Sequence, residues 1–302
     1  MLDLRRLRLL HELHRRGTVS AVAEALSYSP STVSQQLGVL QREAGTTLFE
    51  PAGRRVRLTD AALVLVAHAE ELLAGVERAE ADLAAAAAAV VGVVRVGAFQ
   101  TAGLHLALPA MAAVRAAHPG VEVELDELET EPALDALRSH ALDLVVGEEY
   151  AGSPRPSPPG VDREDLLVEA VRLLMPPSHP GAASGGPVPV ATLAGEAWAA
   201  AHVGGGQAAY LRHVCTTHGG FEPQIRHRGD EFMILVALVS SGHALTLLPD
   251  LVDAESIAPV AVRSIAEAEL TRTVFTAARE SAVARPSVAA VRAALRDAAA
   301  AR

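Results

Sequence analysis

The sequence predicts an α/β protein of three parts: a winged helix-turn-helix over residues 1–59, a long helix over 60–90, and a two-lobed α/β body over 91–302. Three observations support this division. Residues 18–40 show two short amphipathic patterns around a polar break, and the long stretch that follows the first part contains no helix breaker except Gly75. Beyond it, short apolar runs alternate with helical patterns, which is typical of an α/β body.

The first part begins with leucines at helical spacing from Leu4 to a stop near Gly17, and two further helices are predicted on either side of a polar break. Six apolar side chains are expected to pack between those two helices: Val22, Ala25, Leu26, Val33, Leu37 and Leu40. The side chains left facing outward are short, uncharged and able to form hydrogen bonds: Ser31, Thr32, Ser34, Gln35 and Gln36. Such groups suit the major groove of DNA. We therefore predict DNA contacts here, with Ser29 and Pro30 completing the set at the helix start.

A basic hairpin is predicted directly after these helices. Leu48-Phe49 and Val56 to Leu58 read as two short strands around a turn that Pro51 and Gly53 would form. Three arginines would lie on this wing, where they can reach backbone phosphates or the minor groove: Arg54, Arg55 and Arg57.

Charge is distributed unevenly along the chain. The net charge is −10, yet residues 1–60 hold nine arginines against six acids, so this part carries +3 and the remainder −13. A basic end on an acidic body indicates that only one end contacts nucleic acid. The single cysteine, Cys215, excludes an intramolecular disulfide and a CxxC site, and we expect it to be a buried, inert thiol.

The long helix shows a pattern of alternating steps of four and three residues, and eight of the nine positions are apolar. These positions are Ala62, Val66, Ala69, Leu73, Val76, Glu80, Leu83, Ala87 and Val90. The pattern predicts a dimerisation seam. The alternative is a helix packed on its own body, because alanine-rich sequence matches such a pattern easily.

The body divides into two similar halves, with parallel strands expected in both. The first lobe, about residues 91–160 and 265–302, has these predicted elements: Val93–Ala98, Leu104–Ala117, Val121–Leu128, Pro132–Ser139 and Leu142–Gly147. The second lobe, about 161–264, has these: Leu167–Met175, Trp198–His202, Gln207–His218, Gln224–His227, Asp230–Ser240 and Ala244–Leu248. The chain then returns through strands at Ala261–Ile265 and Arg272–Ala277, and a last helix, Ser287–Ala301, is expected to pack on the first lobe.

With these residues in order, the chain resembles the LysR-type transcriptional regulators over essentially its full length. The similar motifs are Ala23-Glu24-Ala25-Leu26, Ser34-Gln35-Gln36-Leu37, Gly45-Thr46-Thr47-Leu48-Phe49 and Arg54-Arg55-Val56-Arg57-Leu58-Thr59. The sequence departs from the family pattern at Gln41, Pro51 and Ala62. The resemblance implies a regulator that binds operator DNA and is controlled by a small molecule held in a two-lobed body like that of periplasmic binding proteins.

That molecule is expected between the lobes, near strand ends and helix starts, where backbone N–H groups favour an anion such as a carboxylate. The candidate contacts are Phe99, Gln100, Thr101, Glu148, His202 and Gly204. The alternatives stay open at this point. Thr101 is otherwise a helix cap, Phe99 a core residue, and the glycines at 204–206 a flexible turn.

No enzyme class is indicated, since the chain has no HExxH, no GxSxG and no lysine for a phosphate-binding loop. We expect no catalytic residue, no cofactor and no metal. The expected partners are double-stranded operator DNA, an effector of unknown identity and a second copy of the chain in a homodimer or homotetramer, with RNA polymerase as a further candidate. Without an export signal or a membrane-length apolar run, a cytoplasmic location with no membrane partner is expected. The alternative is a small-molecule-binding or solute-binding protein whose N-terminal helices serve only in oligomerisation.

Overall fold

A computed structural model describes residues 1–52, 55–86, 90–152, 159–183, 185–202 and 206–302 of the chain. The N-terminal part, called the head below, folds into three helices and a hairpin, as the sequence predicts. Its elements are α1 (Leu4–Arg16), α2 (Val19–Ala25), α3 (Pro30–Ala44), β1 (Phe49–Ala52) and β2 (Arg55–Leu58). The two strands pair antiparallel, and Pro51, which the sequence analysis assigned to the turn, instead lies in β1 opposite Val56.

Local side chains explain where the helices of the head begin and end. Asp3, Thr18 and Ser29 each accept hydrogen bonds from backbone N–H groups two or three residues later. These bonds satisfy donors that a helix start leaves unpaired. Gly17 and Gly45 end α1 and α3 with φ values of 73° and 66°, a left-handed conformation that glycine adopts without strain.

The long helix α4 (Asp60–Ala86) first packs on the head and then leaves it. Ala62, Val66 and Ala69 are buried in the core of the head together with the leucines of α1. The predicted dimerisation seam is therefore wrong over its first third, because the apolar side chains there cover the chain's own helices. Further along, a stripe stepping by four, three and four residues is exposed on α4: Leu72, Val76, Ala79 and Leu83. The predicted position Ala87 lies outside the described residues.

The first lobe contains the predicted alternation of strands and helices. Its elements are β3 (Gly92–Ala98), α5 (Gln100–Ala102), a π-helical turn (Gly103–Ala107), α6 (Leu108–Ala117), β4 (Val121–Glu127), α7 (Thr130–Arg138) and β5 (Leu144–Tyr150). Strand β3 lies between β4 and β5 and pairs parallel with both. The parallel pairing expected for this half is confirmed.

The remaining elements build the second lobe and return to the first. They are β6 (Val161–Met175), α8 (Pro180–Ala183), a 3₁₀ turn (Val190–Leu193), β7 (Ala197–Ala200), α9 (Gly206–Gly219), β8 (Gln224–Arg228), α10 (Phe232–Ser240), β9 (Thr246–Pro249), a 3₁₀ turn (Asp250–Val252), α11 (Ala254–Ile257), β10 (Ala261–Arg263), β11 (Thr271–Arg279) and α12 (Pro286–Ala300). Strands β7 and β8 pair parallel.

The expectation of parallel strands is wrong for β6, β10 and β11. It is right in part for β9, because Leu245, just before this strand, forms a parallel bridge with Trp198 of β7. The main sheet has the order β10-β6-β11-β5-β3-β4, with β9 also paired to β6, and every pair that involves β6 or β11 is antiparallel. The reason is that the chain crosses between the lobes twice in opposite directions, and the two crossing strands lie side by side.

Strand β6 belongs to both lobes. Its residues 161–170 pair with β11, whereas residues 171–175 pair with β9 and β10. It begins six residues before the predicted start at Leu167. We therefore propose that the chain passes between the lobes within β6, near Ala170, rather than at residue 161.

Separate hydrophobic cores hold the lobes. Helix α12 packs on the first lobe as predicted, because Val288, Val291 and Leu295 are buried together with Val94 and Val96 of β3. Within the described residues, each helix is too short or too polar to cross a lipid bilayer.

Candidate functional site

The exposed face of α3 carries the uncharged polar groups that the sequence places there. Ser31, Thr32, Ser34 and Gln35 are exposed, while Val33 on the opposite face is fully buried. A cluster of hydroxyls forms at the helix start, where Ser29 Oγ lies 2.8 Å from both Ser31 Oγ and Thr32 Oγ1. This surface presents both donors and acceptors without a net charge.

Gln36 does not belong to this outward face, so that part of the expectation is wrong. Its side chain is half-buried, and its Oε1 accepts a hydrogen bond of 2.9 Å from Nε of Arg6 on α1. The same guanidinium donates from Nη1 to Glu43 at 2.6 Å. Gln36 therefore ties α1 to α3. The pattern of α3 alone gives no sign of this bond, since the partner lies 30 residues away.

The hairpin is hydrogen-bonded to α3 through Gln41, a position where the sequence departs from the family pattern. Gln41 Oε1 accepts hydrogen bonds from the backbone N–H of Leu48 at 3.0 Å and of Phe49 at 3.2 Å. Its amide oxygen thus fixes the start of β1 against the second half of α3. The hairpin and the polar face of α3 are parts of one rigid head.

Of the three predicted wing arginines, the structure describes the side chain of only one. Arg57 is exposed and lies opposite Glu50 in the hairpin, and the two side chains form an ion pair. Arg54 and the side chain of Arg55 lie outside the described residues. An exposed pair of this kind adds little stability, so Arg57 can exchange Glu50 for a phosphate.

In the body, three of the predicted effector contacts surround a residue that the sequence analysis missed, Arg272. This side chain is fully buried and donates to Thr101 Oγ1 at 3.0 Å, to Glu169 Oε1 at 2.8 Å from Nε, and to Glu148. Its guanidinium carbon lies 4.8 Å from the centre of the Phe99 ring, a cation–π distance. We call these five residues the Arg272 cluster.

The sheet brings this cluster together. Arg272 on β11 is the direct neighbour of Glu169 on β6 and of Tyr150 on β5, so all three lie side by side across adjacent strands. Glu148 is two residues before Tyr150 on the same face of β5. Because Arg272 and Glu169 are 103 residues apart in the chain, no local sequence pattern could have paired them.

The open alternatives for Thr101 and Phe99 are narrowed by these contacts. Thr101 does not cap a helix, since the cap position of α5 is Phe99 and no side chain forms a cap bond there. Phe99 is a core residue of the first lobe, and its ring lies against Arg272, while its contact with an effector stays a prediction.

Buried polar groups near the cluster show the effect of a low dielectric. Burial raises the pKa of Glu169 in spite of the attraction of Arg272. Burial likewise raises the pKa of Tyr150, whose hydroxyl has no hydrogen-bond partner within the described part of the chain. The Tyr150 ring stacks at 4.8 Å on Tyr210 of α9, in the second lobe.

Two more predicted effector contacts meet at the loop before α10. Gln100, from the first lobe, donates to Glu231 and accepts from the backbone N–H of Phe232 at 3.3 Å. His202, from the second lobe, contacts Asp230 through Nδ1 at 2.9 Å. Gln100 thus links the first lobe to the start of α10 in the second lobe. The last predicted contact, Gly204, lies outside the described residues.

The charges around this cleft oppose the anion that the helix starts suggested. The described acids are Glu129, Glu148, Glu169, Asp230 and Glu231, against the buried guanidinium of Arg272 and that of Arg228, whose Nη1 donates to the carbonyl of Ala201 at 3.5 Å. Burial raises the pKa of Glu129, and the nearby charges of Glu148 and Asp230 raise it further. The two helix starts contribute only partial charges, so the carboxylates dominate.

Cys215 is buried, as expected, and burial raises the pKa of its thiol to about 12. A thiolate is therefore scarce at neutral pH, and the residue is inert. In the ranges that the structure describes, no group of histidine, cysteine and acidic side chains is arranged to hold a metal ion.

Strand β11 also contacts the long helix. At its far end, Arg279 donates to Glu77 of α4 from Nε at 2.9 Å, and its Nη1 donates to the carbonyls of Leu137 and Leu142. Burial alone would raise the pKa of Glu77, but hydrogen bonds from His140 and Arg279 outweigh burial and hold it well below its ordinary value. One strand therefore joins the cleft to the helix that leaves the head.

Comparison with known proteins matches both parts of the chain. Residues 4–63 match the family described as bacterial regulatory helix-turn-helix protein, lysR family, and residues 87–300 match the LysR substrate binding domain. The chain is similar to the HTH-type transcriptional regulator CbbR of Rhodospirillum rubrum, 31% identical over 161 residues, which cover 53% of this chain and about half, 52%, of that protein.

It is also similar to the transcriptional dual regulator GltC of Bacillus subtilis, 25% identical over 84% of this chain and 83% of that protein. Among solved structures, a full-length OxyR variant from Pseudomonas aeruginosa superposes with a TM-score of 0.68 over 98% of this chain and 95% of that one, at 23% identity, which shows a shared fold. Since the substrate binding domain alone matches well over half of the residues, the protein belongs to the LysR family of bacterial helix-turn-helix regulators.

Proposed function

We propose that the protein binds operator DNA through the exposed face of α3, as a transcriptional regulator rather than an enzyme. The observation that carries this proposal is the exposure of Ser31, Thr32, Ser34 and Gln35 on a helix whose opposite face is buried. Side chains of this kind read base edges, while arginines such as Arg57 contact phosphates. A cytoplasmic location follows, because the operator lies in that compartment.

A gel-shift assay with the DNA upstream of the protein's own gene tests this function. We expect the full-length protein to retard that fragment and to resist competition from scrambled DNA of equal length and composition. Specific complexes of this type are commonly about 10³-fold or more tighter than non-specific ones. Equal competition by both DNAs at physiological salt would contradict the proposal.

We propose a homodimer, or a tetramer built from dimers, held in part by the exposed stripe of Leu72, Val76, Ala79 and Leu83 on α4. Leu83 is 72% exposed, and a contiguous exposed apolar surface of this kind is typical of a protein–protein contact. Spacing of four, three and four residues suits packing against a second helix. A monomer in analytical ultracentrifugation at micromolar concentration would contradict this assignment.

We propose that the effector binds in the cleft between the lobes, beside the Arg272 cluster, and changes the relative placement of the heads. It acts only to the extent that it binds one arrangement better than the other. Strand β11 supports this mechanism, because it carries Arg272 in the cleft and Arg279 against Glu77 of α4. A shift of β11 on ligand binding would move the helix that leads to the head.

The excess of carboxylates in the cleft leads us to propose a neutral or positively charged effector in place of the anion first expected. Thermal unfolding at constant ionic strength can compare 1,5-diaminopentane with glutarate, which has the same number of carbons. We expect only the diamine to raise the unfolding temperature, because it relieves repulsion among the acids. Stabilisation by glutarate alone would contradict this assignment of charge.

A further inference from the structure

A second cavity, of about 540 Å³, lies away from the cleft, between the head and the first lobe. Arg5 and Arg8 of α1 and Tyr28, just before α3, line it from the head, whereas Arg95 of β3 and His140 line it from the lobe. Its volume is within the range of small-molecule sites. Residues of two separate units therefore enclose one space.

This cavity is basic. Three guanidiniums line it, and none of its described lining residues is an aspartate or a glutamate. Arg95 forms an ion pair of 2.9 Å with Glu124, but both side chains are about half exposed, so solvent screens this pair. Arg5 makes no side-chain bond among the described residues. The positive charge of the cavity is therefore only partly compensated within the protein.

Arg8 is half-buried, whereas Arg5 and Arg95 are exposed. Its Nη2 donates to the carbonyl of Ser139 at 2.6 Å, which joins α1 to the first lobe, while its Nε is buried without a hydrogen-bond partner in the described part of the chain. Burial lowers the pKa of Arg8; the charge of Glu12 opposes this shift, and the charges of Arg279 and Arg95 add to it. A buried N–H donor without a partner is unfavourable unless an acceptor occupies the adjacent space.

We propose that this cavity binds a small free oxyanion, of the phosphate or phosphate-ester class, between Arg5, Arg8 and Arg95. Guanidinium groups match the geometry of such oxygens and form strong, charge-assisted bonds with them. The anion would contact the head and the first lobe together. It would thus stabilise the arrangement in which α1 lies against the lobe and would shift the population toward it.

Isothermal titration of the full-length protein with sodium phosphate, at an ionic strength held constant with sodium chloride, tests this proposal. We expect saturable binding with Kd in the millimolar range or below, together with a rise in unfolding temperature that chloride does not produce. The variants Arg5→Gln and Arg95→Gln are expected to weaken binding at least fivefold. Both side chains are exposed, so neither change should prevent folding.

Two matched controls keep the result specific. Arg115→Gln removes an exposed arginine of α6 that does not line the cavity. Glu124→Gln breaks the ion pair with Arg95 but leaves the positive charge of Arg95 in place. Neither control should weaken phosphate binding. Absence of saturable binding, or equal weakening by Arg115→Gln, would overturn the proposal.

The alternative occupant of this cavity is a phosphate group of the DNA backbone, which presents the same oxygens to the arginines. If Arg95→Gln lowered the salt dependence of DNA binding by about one phosphate contact while free phosphate did not bind, the cavity would hold the DNA backbone and the proposal of a free anion would be wrong. The proposal stands independently of the effector cleft, since none of its residues belongs to the Arg272 cluster.

Discussion

Replacing Arg272 by methionine should destabilise the body by about 3–5 kcal/mol, the typical loss when one partner of a buried ion pair is removed. The substitution keeps much of the side-chain volume but leaves the carboxylates of Glu148 and Glu169 buried without their cation. It also removes the donor to Thr101. Urea unfolding of the full-length protein followed by circular dichroism at pH 7.5 measures the loss.

The stability lost in Arg272→Met should be smaller at low pH than at neutral pH. Burial raises the pKa of Glu169 in the folded protein, and removing Arg272 raises it further because a favourable attraction is lost. A carboxyl whose folded pKa lies above its unfolded pKa opposes folding when ionised, and this cost disappears as the pH falls through the folded value. The variant should therefore be closer to the wild type at pH 5 than at pH 7.5.

A triple variant separates unpaired charge from lost packing. Combining Arg272→Met with Glu148→Gln and Glu169→Gln removes the two carboxylates that the single change leaves unpaired, so it should recover most of the stability. If the single variant were as stable as the wild type, or the triple variant no better than the single one, buried charge would not be the main role of this cluster.

The single variant Arg272→Met also tests whether β11 connects the cleft to the long helix α4. If Arg272 positions the strand, then its loss should loosen the contact between Arg279 and Glu77. Hydrogen exchange should become faster in the part of α4 around Glu77 and remain unchanged in α3. Unchanged exchange around Glu77 would contradict this coupling.

Features set by short segments were predicted well from the sequence. The stop of α1 near Gly17 and the start of α3 at Pro30 depend on neighbouring residues, so these helices of the head could be predicted from the sequence. The hairpin was also predicted, although its first strand extends through Pro51. The family motifs in the head agree with these local signals.

Features that depend on distant residues were missed. Gln36 was assigned to the outer face because its partner Arg6 lies on another helix, and Arg272 was overlooked because its partners come from two other strands and from α5. The antiparallel strands were read as parallel, since an apolar run does not reveal its direction in a sheet. On α4, alanines fit several registers equally well, and only packing on α1 distinguishes them.

The second large effect is expected at Gln35. A glutamine that bonds an adenine edge contributes about 1–3 kcal/mol of discrimination at one base pair, and a symmetric dimer uses it in both half-sites. Gln35→Ala should therefore lower the affinity for the operator by about 10²-fold or more, while binding to random DNA stays nearly the same. Gln224→Ala, which changes an exposed glutamine of β8, serves as the control and should alter neither affinity.

The most direct measurement of the central claim, that the outer face of α3 lies in the major groove, uses Gln35→Ala with a panel of operators changed one base pair at a time. Fluorescence anisotropy at fixed salt gives the affinity for each DNA. We predict that the variant no longer discriminates at one position in each half-site and retains discrimination elsewhere. An equal loss of affinity on every DNA of the panel would show that Gln35 does not contact a base, and would contradict this account.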